Sequence, residues 1–466
     1  MIPASIFKSY DIRGLAPEEI DESVARRLAK CLATLYHPKH VVVGHDMRLT
    51  SERLEEAFIE GLVVSGVSVT SIGRCSTPMF YYAVGSGEGA YDLGVMITAS
   101  HNPGPYNGFK LVHGDLRPIG QGSGMEEIRD LVIGETPIIE EETYGTVITD
   151  DTVLDRYIER VTSLAALPSD LPEWNLAIDA GNGMNGVVLP ALTRKLFPMR
   201  VEDLYWDPDG NFPHHEANPV KVETLKKLQE TVRHDGSVCG VAFDGDGDRV
   251  GFIDETGMPI PGDILTALLA KEMLAIKGPG TVLYDLRSSW AVADVIRAAG
   301  GTPHMCRVGH AHIKKQMRQE NAIFAGELSM HFYFADLGFC ESSDLAMLLL
   351  LKMLLREQKP LSALWCPLQT YVHSGEINFE VQDAKKILQS LEELFASRAS
   401  AISHLDGILM EFVSAEQPDQ DWWFNVRCSN TEPLIRLNLE ARTQAVMEQR
   451  RDALSNIISS PTITGV

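Results

Sequence analysis

The chain has 466 residues, of which 44% are hydrophobic and 23% are charged, as is usual for a soluble globular protein. This length is too great for one hydrophobic core and predicts three or four domains. The formal net charge of −23 argues against nucleic acid or an anionic membrane as a partner. It does not argue against a small anionic substrate, because a local cluster of basic residues can dominate inside a cleft.

The cysteines and the apolar segments predict a cytoplasmic protein. The 7 cysteines are scattered and include no Cys-x-x-Cys pair, which is typical of a reduced compartment. The first residues lack the charged and apolar segments of a signal peptide. The longest apolar stretch, residues 345–355, contains Lys352 and is too short to span a bilayer.

The first predicted elements are a helix and, after it, a βαβ unit. Residues 17–19, Pro-Glu-Glu, should open this helix, whose apolar stripe continues to Leu32. Residues 41–43 are valines and predict a buried strand that ends in a Gly-His-Asp loop. A second helix and a strand at residues 67–69 complete the unit.

The same unit recurs further along the chain. Predicted strands at 176–178 and 282–284 each end in a loop that begins with aspartate. These repeats predict three α/β domains of one topology. From residue 370 the pattern of strands and one helix, predicted at 384–401, indicates an α+β terminal domain. The predicted domains span residues 1–150, 151–255, 256–366 and 367–466.

The most informative stretch is 244–249, Asp-Gly-Asp-Gly-Asp-Arg. Its alternating carboxylates, Asp244, Asp246 and Asp248, suit a hard cation such as Mg²⁺ or Ca²⁺. An EF-hand requires glycine where this chain has Arg249, and the flanks predict strands instead of helices. The remaining alternative is a solvated Asp-Gly turn. The arginine favours a metal that acts together with phosphate, because its fork matches phosphate oxygens.

A second loop, residues 98–103, follows a predicted strand and reads Thr-Ala-Ser-His-Asn-Pro. Ser100 therefore lies where ligands bind in α/β folds, at the carboxyl end of a strand. One alternative is an ordinary turn. Another is a hydrolase nucleophile with His101 as its base, but the chain contains no Gly-x-Ser-x-Gly motif.

Two later loops carry groups that suit a sugar phosphate. Glu327, Ser329 and His331 would face one side of an extended segment and bind vicinal hydroxyls, or belong to a partly buried polar loop. Residues 427–433, Arg-Cys-Ser-Asn-Thr-Glu-Pro, would form a phosphate nest. The chain has no Walker A motif, and its one Gly-x-Gly-x-x-Gly-like segment precedes a strand, so a standard ATP site is not predicted.

Together with residues 7–14, Phe-Lys-Ser-Tyr-Asp-Ile-Arg-Gly, these loops resemble the α-D-phosphohexomutase family, in particular its phosphomannomutase/phosphoglucomutase branch. The resemblance covers essentially the whole chain, and the loops occur in the family's order. It implies four domains around a deep central cleft, with three α/β domains followed by one α+β domain.

The resemblance also implies roles for individual residues. Ser100 would be a phosphoserine, and Mg²⁺ would be held by its phosphate together with the three aspartates. Arg13 and Arg249 would stabilise charge, while His101, Lys110 and His331 are candidates for the general base. The residues implied to bind substrate are Tyr10, Arg287, Gly309, His310, Glu327, Ser329, His331, Arg427, Ser429, Asn430 and Thr431.

The implied reaction moves a phosphoryl group between O6 and O1 of a hexose through a hexose 1,6-bisphosphate, which is intermediate and activator. Residues 331–334 and 339–342 look most like bacterial phosphomannomutases, which favours mannose and a place in GDP-mannose synthesis, with glucose possible. Alternatives are a phosphoglucosamine mutase and a non-catalytic sugar-phosphate sensor, and monomer or homodimer is left open. Many relatives have glycine at Met330, whose side chain would narrow the pocket or pack away from it.

Overall fold

The computed structural model describes residues 2–134, 143–381, 383–428 and 434–459. The first domain contains a six-stranded sheet in the order β1-β5-β4-β2-β3-β6. Its elements are β1 (Ile12–Leu15), α1 (Glu22–Tyr36), β2 (His40–His45), α2 (Ser51–Val63), β3 (Ser68–Arg74), α3 (Thr77–Ser86), β4 (Leu93–Ile97), β5 (Tyr106–His113), α4 (Met125–Ile133) and β6 (Val147–Thr149).

The second and third domains contain smaller sheets, in the orders β10-β9-β7-β8 and β12-β11-β13-β14-β15. The elements of the second are α5 (Val153–Ala165), β7 (Asn175–Asp179), α6 (Asn185–Leu192), β8 (Arg200–Leu204), α7 (Lys226–Asp235), β9 (Cys239–Phe243) and β10 (Val250–Asp254). Those of the third are α8 (Gly262–Lys277), β11 (Thr281–Asp285), α9 (Trp290–Ala298), β12 (Thr302–Cys306), α10 (His310–Glu320), β13 (Phe324–Gly326), β14 (Phe332–Phe334), β15 (Cys340–Glu341), α11 (Ser343–Glu357) and α12 (Leu361–Trp365).

The fourth domain has a different, antiparallel sheet, in which β16-β21-β20-β19-β18 are neighbours and β17 also pairs with β21. Its elements are β16 (Val372–His373), β17 (Ile377–Glu380), α13 (Ala384–Phe395), β18 (Ala401–Ser403), β19 (Ile408–Phe412), β20 (Trp422–Cys428), β21 (Leu434–Ala441) and α14 (Gln444–Ser459). The predicted α/β and α+β domains are confirmed.

The first three sheets share one four-stranded unit. In each, a central strand pairs in parallel with two neighbours, and a fourth strand returns antiparallel to one of them. The units are β3-β2-β4-β5, β8-β7-β9-β10 and β12-β11-β13-β14. The hairpin before the fourth strand carries the serine loop in the first domain, the aspartate loop in the second and the Glu327 loop in the third. The repeat therefore places three chemically distinct loops at equivalent positions.

The largest hydrophobic cluster joins the first three domains and leaves out the fourth, and the first domain has a further large cluster of its own. One cluster of buried side chains runs through the first three domains and includes Tyr81, Phe252 and Leu348. The fourth domain has a separate cluster, and a small one, formed by Leu286, Leu409 and Trp423, joins it to the third domain. The apolar run at 345–355 lies in α11, inside the large cluster. Within the described ranges, no helix has the length and apolarity that a bilayer span requires.

Two predicted helix bounds are wrong. Helix α1 begins at Glu22 instead of residue 17, because the Asp21 side chain accepts a hydrogen bond from Val24 N at 2.9 Å and caps the helix there. Helix α13 ends at Phe395 instead of residue 401. Ala401 begins an edge strand that pairs with β19, so sheet pairing replaces the helix in this segment.

Candidate active site

The three equivalent hairpins meet at one end of the cleft. Ser100 Oγ donates to Asp244 Oδ2 at 3.2 Å. A Cβ atom on Gly245 would lie 2.5 Å from the Ser100 carbonyl oxygen, so only glycine permits this approach. On the other side, the backbone of Arg249 pairs with that of His331. The aspartate loop thus lies between the serine loop and the Glu327 loop.

The cleft is a cavity of about 540 Å³ whose lining includes most of the predicted site residues. These are Tyr10, Arg13, Ser100, His101, Lys110, Asp248, Arg249, Arg287, Gly309, His310, Glu327, Ser329, His331 and Arg427. Asp244 and Asp246 lie fully buried behind this surface. Ser429, Asn430 and Thr431 fall outside the described residues.

The backbone around Ser100 is strained, and buried side chains hold it through hydrogen bonds. Ser100 has a φ of 51°, in the left-handed region that costs a non-glycine residue about 1–3 kcal/mol. Its N–H donates to Thr98 Oγ1 at 2.9 Å. The buried guanidinium of Arg48 donates to the carbonyl oxygens of the loop, at 2.7 Å from that of Ser100 and 2.6 Å from that of Asn102. Asp46 anchors this guanidinium, its Oδ2 accepting from Arg48 Nε at 3.1 Å.

The aspartate loop presents a buried carboxylate cluster that fits a hard cation. One oxygen from each of Asp244, Asp246 and Asp248 lies within 4.8 Å of the others. Burial and the two neighbouring carboxylates raise the pKa of Asp244 well above its usual range. This shift indicates that the negative charge of the three aspartates is not fully compensated by nearby basic groups. Asp246 Oδ1 is buried and has no hydrogen-bond partner among the residues described. Oxygen ligands of this kind suit Mg²⁺.

Two groups from the first domain hold this cluster. Lys110 Nζ lies 2.6 Å from both Asp246 Oδ2 and Asp248 Oδ2. Burial opposes its charge, yet the two carboxylates raise the pKa of Lys110 above its ordinary value. Thr77 Oγ1, at the start of α3, donates to Asp246 Oδ2 at 2.6 Å. Lys110 is therefore a cation here, which makes it a charge partner of the aspartates.

Basic groups also surround the Ser100 side chain. Arg13 Nη1 donates to Asn102 Oδ1 at 2.8 Å, and Arg13 also pairs with Asp11. Arg249 Nε lies 3.8 Å from Asp244 Oδ2. His101 Nδ1 is 3.2 Å from Ser100 Oγ, and burial, with help from both arginines, lowers the pKa of His101 well below its usual range. Its imidazole is neutral.

The Glu327 loop is a turn, so the expected extended segment is wrong. Met330 has a φ of 68°, and its N–H donates to Glu327 O at 3.0 Å. The predicted side chains still converge, because His331 Nδ1 lies 3.0 Å from Glu327 Oε2 and 3.2 Å from Ser329 Oγ. Met330 points the other way, is 7% exposed and belongs to the large core cluster. It packs away from the pocket.

Neighbouring charged groups set the ionisation states of Glu327 and His331 in this loop. Burial opposes ionisation of Glu327, but a hydrogen bond and charge from His331 lower the pKa of Glu327 to about 2. Burial likewise opposes the imidazolium, yet Asp248 and Glu327 raise the pKa of His331 to about 9. Tyr333 OH donates to Glu327 Oε2 at 2.6 Å, and Gly309 N donates to Oε1 at 3.1 Å. The carboxylate is held in one orientation toward the cleft.

Gly309 and His310 bring the start of α10 against Tyr10 of the first domain. Gly309 has a φ of 116°, and a Cβ atom there would lie 2.5 Å from the Tyr10 hydroxyl oxygen. The Tyr10 hydroxyl donates to Val308 O at 3.2 Å, and its ring meets His310 edge-on at 5.4 Å. Glycine at this position therefore lets the two domains close one wall of the cleft.

The opposite end of the cleft is lined by arginines of the third and fourth domains. Arg287 Nη2 donates to Asp285 Oδ2 at 2.6 Å. Arg427, at the end of β20, is 4% exposed, and its Nη2 donates to Glu376 Oε2 at 2.9 Å. Arg436 Nη1 donates to the other oxygen of Glu376 at 3.1 Å. Guanidinium groups gathered in this way suit the binding of an anion.

Family models cover all four domains. Models described as phosphoglucomutase/phosphomannomutase alpha/beta/alpha domains I, II and III match residues 4–136, 155–257 and 261–371, and the C-terminal domain model matches residues 376–457. A phosphomannomutase of Methanocaldococcus jannaschii is 39% identical over 456 residues, covering 97% of each chain. The chain belongs to the phosphoglucomutase/phosphomannomutase family. It is a phosphohexomutase, an intramolecular phosphotransferase.

Other relatives agree with this placement. The phosphomannomutase of Escherichia coli K12 is 37% identical over 461 residues, covering 97% of this chain and 98% of that one. The crystal structure of a phosphoglucomutase/phosphomannomutase family protein from Burkholderia thailandensis has a TM-score of 0.85 and 31% identity, with 98% and 97% of the two chains covered. An N-acetylphosphoglucosamine mutase from Aspergillus fumigatus, solved with GlcNAc-6P and magnesium, shares the fold at 14% identity and a TM-score of 0.64 over 98% and 96% of the chains.

Sequence reasoning missed the residues that support this phosphohexomutase's loops. Arg48 and Thr77 hold the serine and aspartate loops, and Glu376 and Arg436 accompany Arg427. A signal existed for Arg48, because it follows the carboxyl end of β2, where functional groups gather in α/β sheets. The others carry no motif, since their partners lie far away along the chain.

Proposed function

We propose that this phosphohexomutase is Mg²⁺-dependent and interconverts hexose 6-phosphate and hexose 1-phosphate through phospho-Ser100. The favoured sugar is mannose, with glucose possible, and the intermediate is a hexose 1,6-bisphosphate. The observation that carries the proposal is the 3.2 Å contact between Ser100 Oγ and Asp244 of the buried carboxylate cluster. A hydroxyl on a strained loop beside three carboxylates suits a phosphoryl carrier, because phosphate and metal neutralise each other's charge there.

The first half-reaction transfers the phosphoryl group from Ser100 to the free hydroxyl of the sugar. The bond from phosphorus to Ser100 Oγ breaks and a bond to the sugar oxygen forms. The proton of the sugar hydroxyl moves to a base, and Ser100 Oγ takes up a proton to become a hydroxyl again. Mg²⁺, held by Asp244, Asp246, Asp248 and the phosphoserine, would supply charge stabilisation. Arg13 and Arg249 add positive charge beside the transferred group.

The second half-reaction needs the bisphosphate turned end for end. Its other phosphate then faces Ser100 and is returned to it, which regenerates the phosphoenzyme. Glu327 and Ser329 would hold sugar hydroxyls in both orientations. Arg287, Arg427 and residues 429–431 would hold the phosphate that is not reacting.

Three side chains line the cleft as candidates for the base, namely His101, Lys110 and His331. Lys110 and His331 are each bound to carboxylates, whereas the His101 ring lies 3.2 Å from Ser100 Oγ. This arrangement favours His101 as the partner for the proton that Ser100 Oγ takes up, and all three side chains stay candidates for the base of the sugar hydroxyl. Tyr10, Gly309 and His310 would shape the wall against which the sugar lies.

Mannose is favoured because relatives covering nearly the whole chain are named phosphomannomutases. Such an activity supplies mannose 1-phosphate, the precursor of GDP-mannose, in the cytoplasm. A side-by-side assay with mannose 1-phosphate, glucose 1-phosphate and glucosamine 1-phosphate tests the assignment. Faster turnover of mannose supports it, comparable rates with glucose indicate dual specificity, and turnover of glucosamine alone contradicts it.

The variant Ser100→Ala tests whether Ser100 carries the phosphoryl group. We expect turnover to fall by at least about 10⁴-fold, as for loss of a catalytic nucleophile, while the fold is kept. After incubation with hexose 1,6-bisphosphate, the intact mass of the wild type should exceed the mass calculated from its sequence by one phosphate group. The variant should show no such excess. Ser163→Ala, on the exposed face of α5, is the matched control and should change neither. Full turnover in Ser100→Ala would contradict the proposal, and a folded wild type without turnover would indicate a sensor.

A further inference from the structure

One aliphatic side chain is exposed inside the cleft. Val220, on the segment between β8 and α7 of the second domain, lines the cavity and is 42% exposed. Among the described residues, the other aliphatic side chains in this lining are Val308 and Leu328, and both are less exposed. An isopropyl group in a concave and largely polar surface is apolar area that a bound ligand can cover.

Val220 is held next to the Glu327 turn. A Cβ atom on Gly251 of β10 would lie 3.0 Å from Pro219 Cβ and 3.0 Å from Met330 Sδ, so both side chains pack against this glycine. Met330 belongs to the Glu327 turn, and Pro219 directly precedes Val220. The residue that reaches the cleft beside this turn is therefore Val220, while Met330 packs into the core.

Hydrogen bonds fix the backbone of the same segment. Val220 N donates to Asn218 Oδ1 at 3.3 Å, which forms a turn of the kind that asparagine stabilises. The carbonyl oxygen of Asn218 accepts from Lys221 N at 3.1 Å and from Thr224 Oγ1 at 3.0 Å. Asn218 and Thr224 are each 8% exposed. The segment therefore presents Val220 to the cleft from a fixed position.

An apolar contact suits a sugar that must be bound in two orientations. Hydrogen bonds are directional, so donors and acceptors that match the hydroxyls in one orientation match them less well after the sugar has turned end for end. Burial of apolar area has no such direction, and the C–H groups of a hexose ring provide apolar area in both orientations. A branched side chain also occupies volume, so a large substituent on the ring would collide with it.

We propose that Val220 is a specificity-determining residue that packs against the hexose ring and excludes sugars with a large ring substituent, such as an acetamido group. The inference rests on the proposed function of the cleft, in which Glu327 and Ser329 hold the sugar. It gives the second domain a part in sugar recognition in addition to the aspartate loop.

The ratio of kcat/KM for N-acetylglucosamine 1-phosphate to that for mannose 1-phosphate tests the exclusion in the full-length enzyme. Val220→Ala removes two carbon atoms, and we expect this ratio to rise at least about tenfold. Val220→Thr keeps the branched shape and should leave the ratio within about threefold of wild type. Val222→Ala, at a residue that is 56% exposed and outside the cavity lining, is the matched control and should not change it. An unchanged ratio in Val220→Ala, or an equal rise in Val220→Thr, would overturn the inference.

Binding to the Ser100→Ala protein gives a second readout, which does not depend on turnover. Mannose 6-phosphate and inorganic phosphate are titrated by calorimetry, with Mg²⁺ present, into this protein with and without Val220→Ala. We expect the Kd of the sugar phosphate to rise about 3- to 10-fold and that of inorganic phosphate to change less than about twofold, because only the sugar phosphate has a ring. Equal weakening of both ligands would indicate general damage to the cleft and would overturn the inference.

The two measurements also separate this inference from the proposed function. If Ser100→Ala loses turnover and Val220→Ala does not change the Kd of mannose 6-phosphate, the inference fails and the proposed function stands. If Ser100→Ala keeps full turnover and Val220→Ala weakens only the sugar phosphate, the phosphoserine is rejected and the role of Val220 stands. Absence of any sugar-phosphate binding would overturn both.

Discussion

The two ends of the cleft are built differently. The end at Ser100 is formed by hairpins of three domains that share one hydrophobic cluster, and buried side chains such as Arg48 and Thr77 fasten its loops. The end at Arg427 belongs to a domain with its own core. The comparison indicates that the loops around Ser100 share one hydrophobic cluster, whereas the domain of Arg427 is joined to them through a smaller one.

The joint between the third and fourth domains supports this difference. Apart from the small cluster around Trp423, it rests on polar contacts, in which Trp290 N and Nε1 donate at 2.9 Å to Glu440 and Glu411. His373 Nε2 lies 3.1 Å from Arg287 O. Such contacts suit a domain that shifts during the proposed reaction, since polar interfaces between domains usually permit motion.

Asp246→Asn should give the largest effect at the fixed end. It keeps the shape of the side chain but removes one carboxylate charge from the proposed cation site, so kcat should fall by about 10²–10³-fold. A titration of activity with Mg²⁺ measures this, and higher Mg²⁺ should recover part of the rate. Asp170→Asn, on the surface, is the control. An unchanged Mg²⁺ dependence in Asp246→Asn would place the cation elsewhere.

Arg48→Met tests whether buried hydrogen bonds fasten the serine loop. The substitution leaves Asp46 buried without its cation and removes the guanidinium hydrogen bonds to four carbonyl oxygens, including those of Pro103 and Tyr106. Breaking a buried pair in this way should cost about 3–5 kcal/mol of unfolding free energy, measured in urea, and lower kcat. Arg53→Met, an exposed arginine of α2, should cost under about 1 kcal/mol. Equal losses in the two variants would refute this role for Arg48.

The pH dependence of stability tests the role of Asp344, which is buried between the second and third domains. Its carboxylate accepts from Tyr157 OH at 2.8 Å and from Asn185 Nδ2 at 2.9 Å, and burial raises the pKa of Asp344 to about 6. The folded state therefore holds this proton more tightly than the unfolded state. The resulting stability is present at low pH and lost as pH rises through about 6, a decline of about 3 kcal/mol.

Asp344→Asn should remove that decline, because asparagine does not ionise. Urea unfolding between pH 4 and pH 7 measures the difference. We expect the stability of the variant relative to wild type to rise by about 2 kcal/mol across this range, since part of the decline in wild type falls below pH 4. Parallel curves for the two proteins would show that Asp344 does not carry this pH dependence.

Met330→Gly should give the smallest effect on catalysis. Met330 lies in the core behind the Glu327 turn, so the ratio of mannose to glucose turnover should change less than about 3-fold. Stability should fall by about 1–3 kcal/mol, since lost packing outweighs the relief of a positive φ. A large change in the sugar ratio would mean that Met330 reaches the pocket.

Much of the site could be predicted because its chemistry lies in short, continuous loops. The alternation of aspartate and glycine at 244–249 and the position of Ser100 after a strand are local patterns, and the structure brings these loops together. The turn at Met330 was not predictable in this way, because the backbone pairing of residues 249–250 with this loop helps to fix it.

The supporting residues required the tertiary structure. Thr77 looks like an ordinary residue at the start of a helix until α3 is placed against the aspartate loop. Glu376 looks like part of a strand, and its partners Arg427 and Arg436 lie 51 and 60 residues away along the chain. The start of helix α1 was also not predictable from the sequence pattern, because it depends on which acidic residue caps the helix.

The transfer of labelled phosphate tests the central claim most directly. The protein is incubated with hexose 1,6-bisphosphate carrying radiolabelled phosphate and Mg²⁺, and the label is followed into peptides and into hexose monophosphates. We expect label on the peptide that contains Ser100. After the labelled protein is separated from free bisphosphate, we expect the label to pass into hexose 1,6-bisphosphate when unlabelled hexose 6-phosphate is added. Sustained turnover without label on Ser100 would contradict the claim.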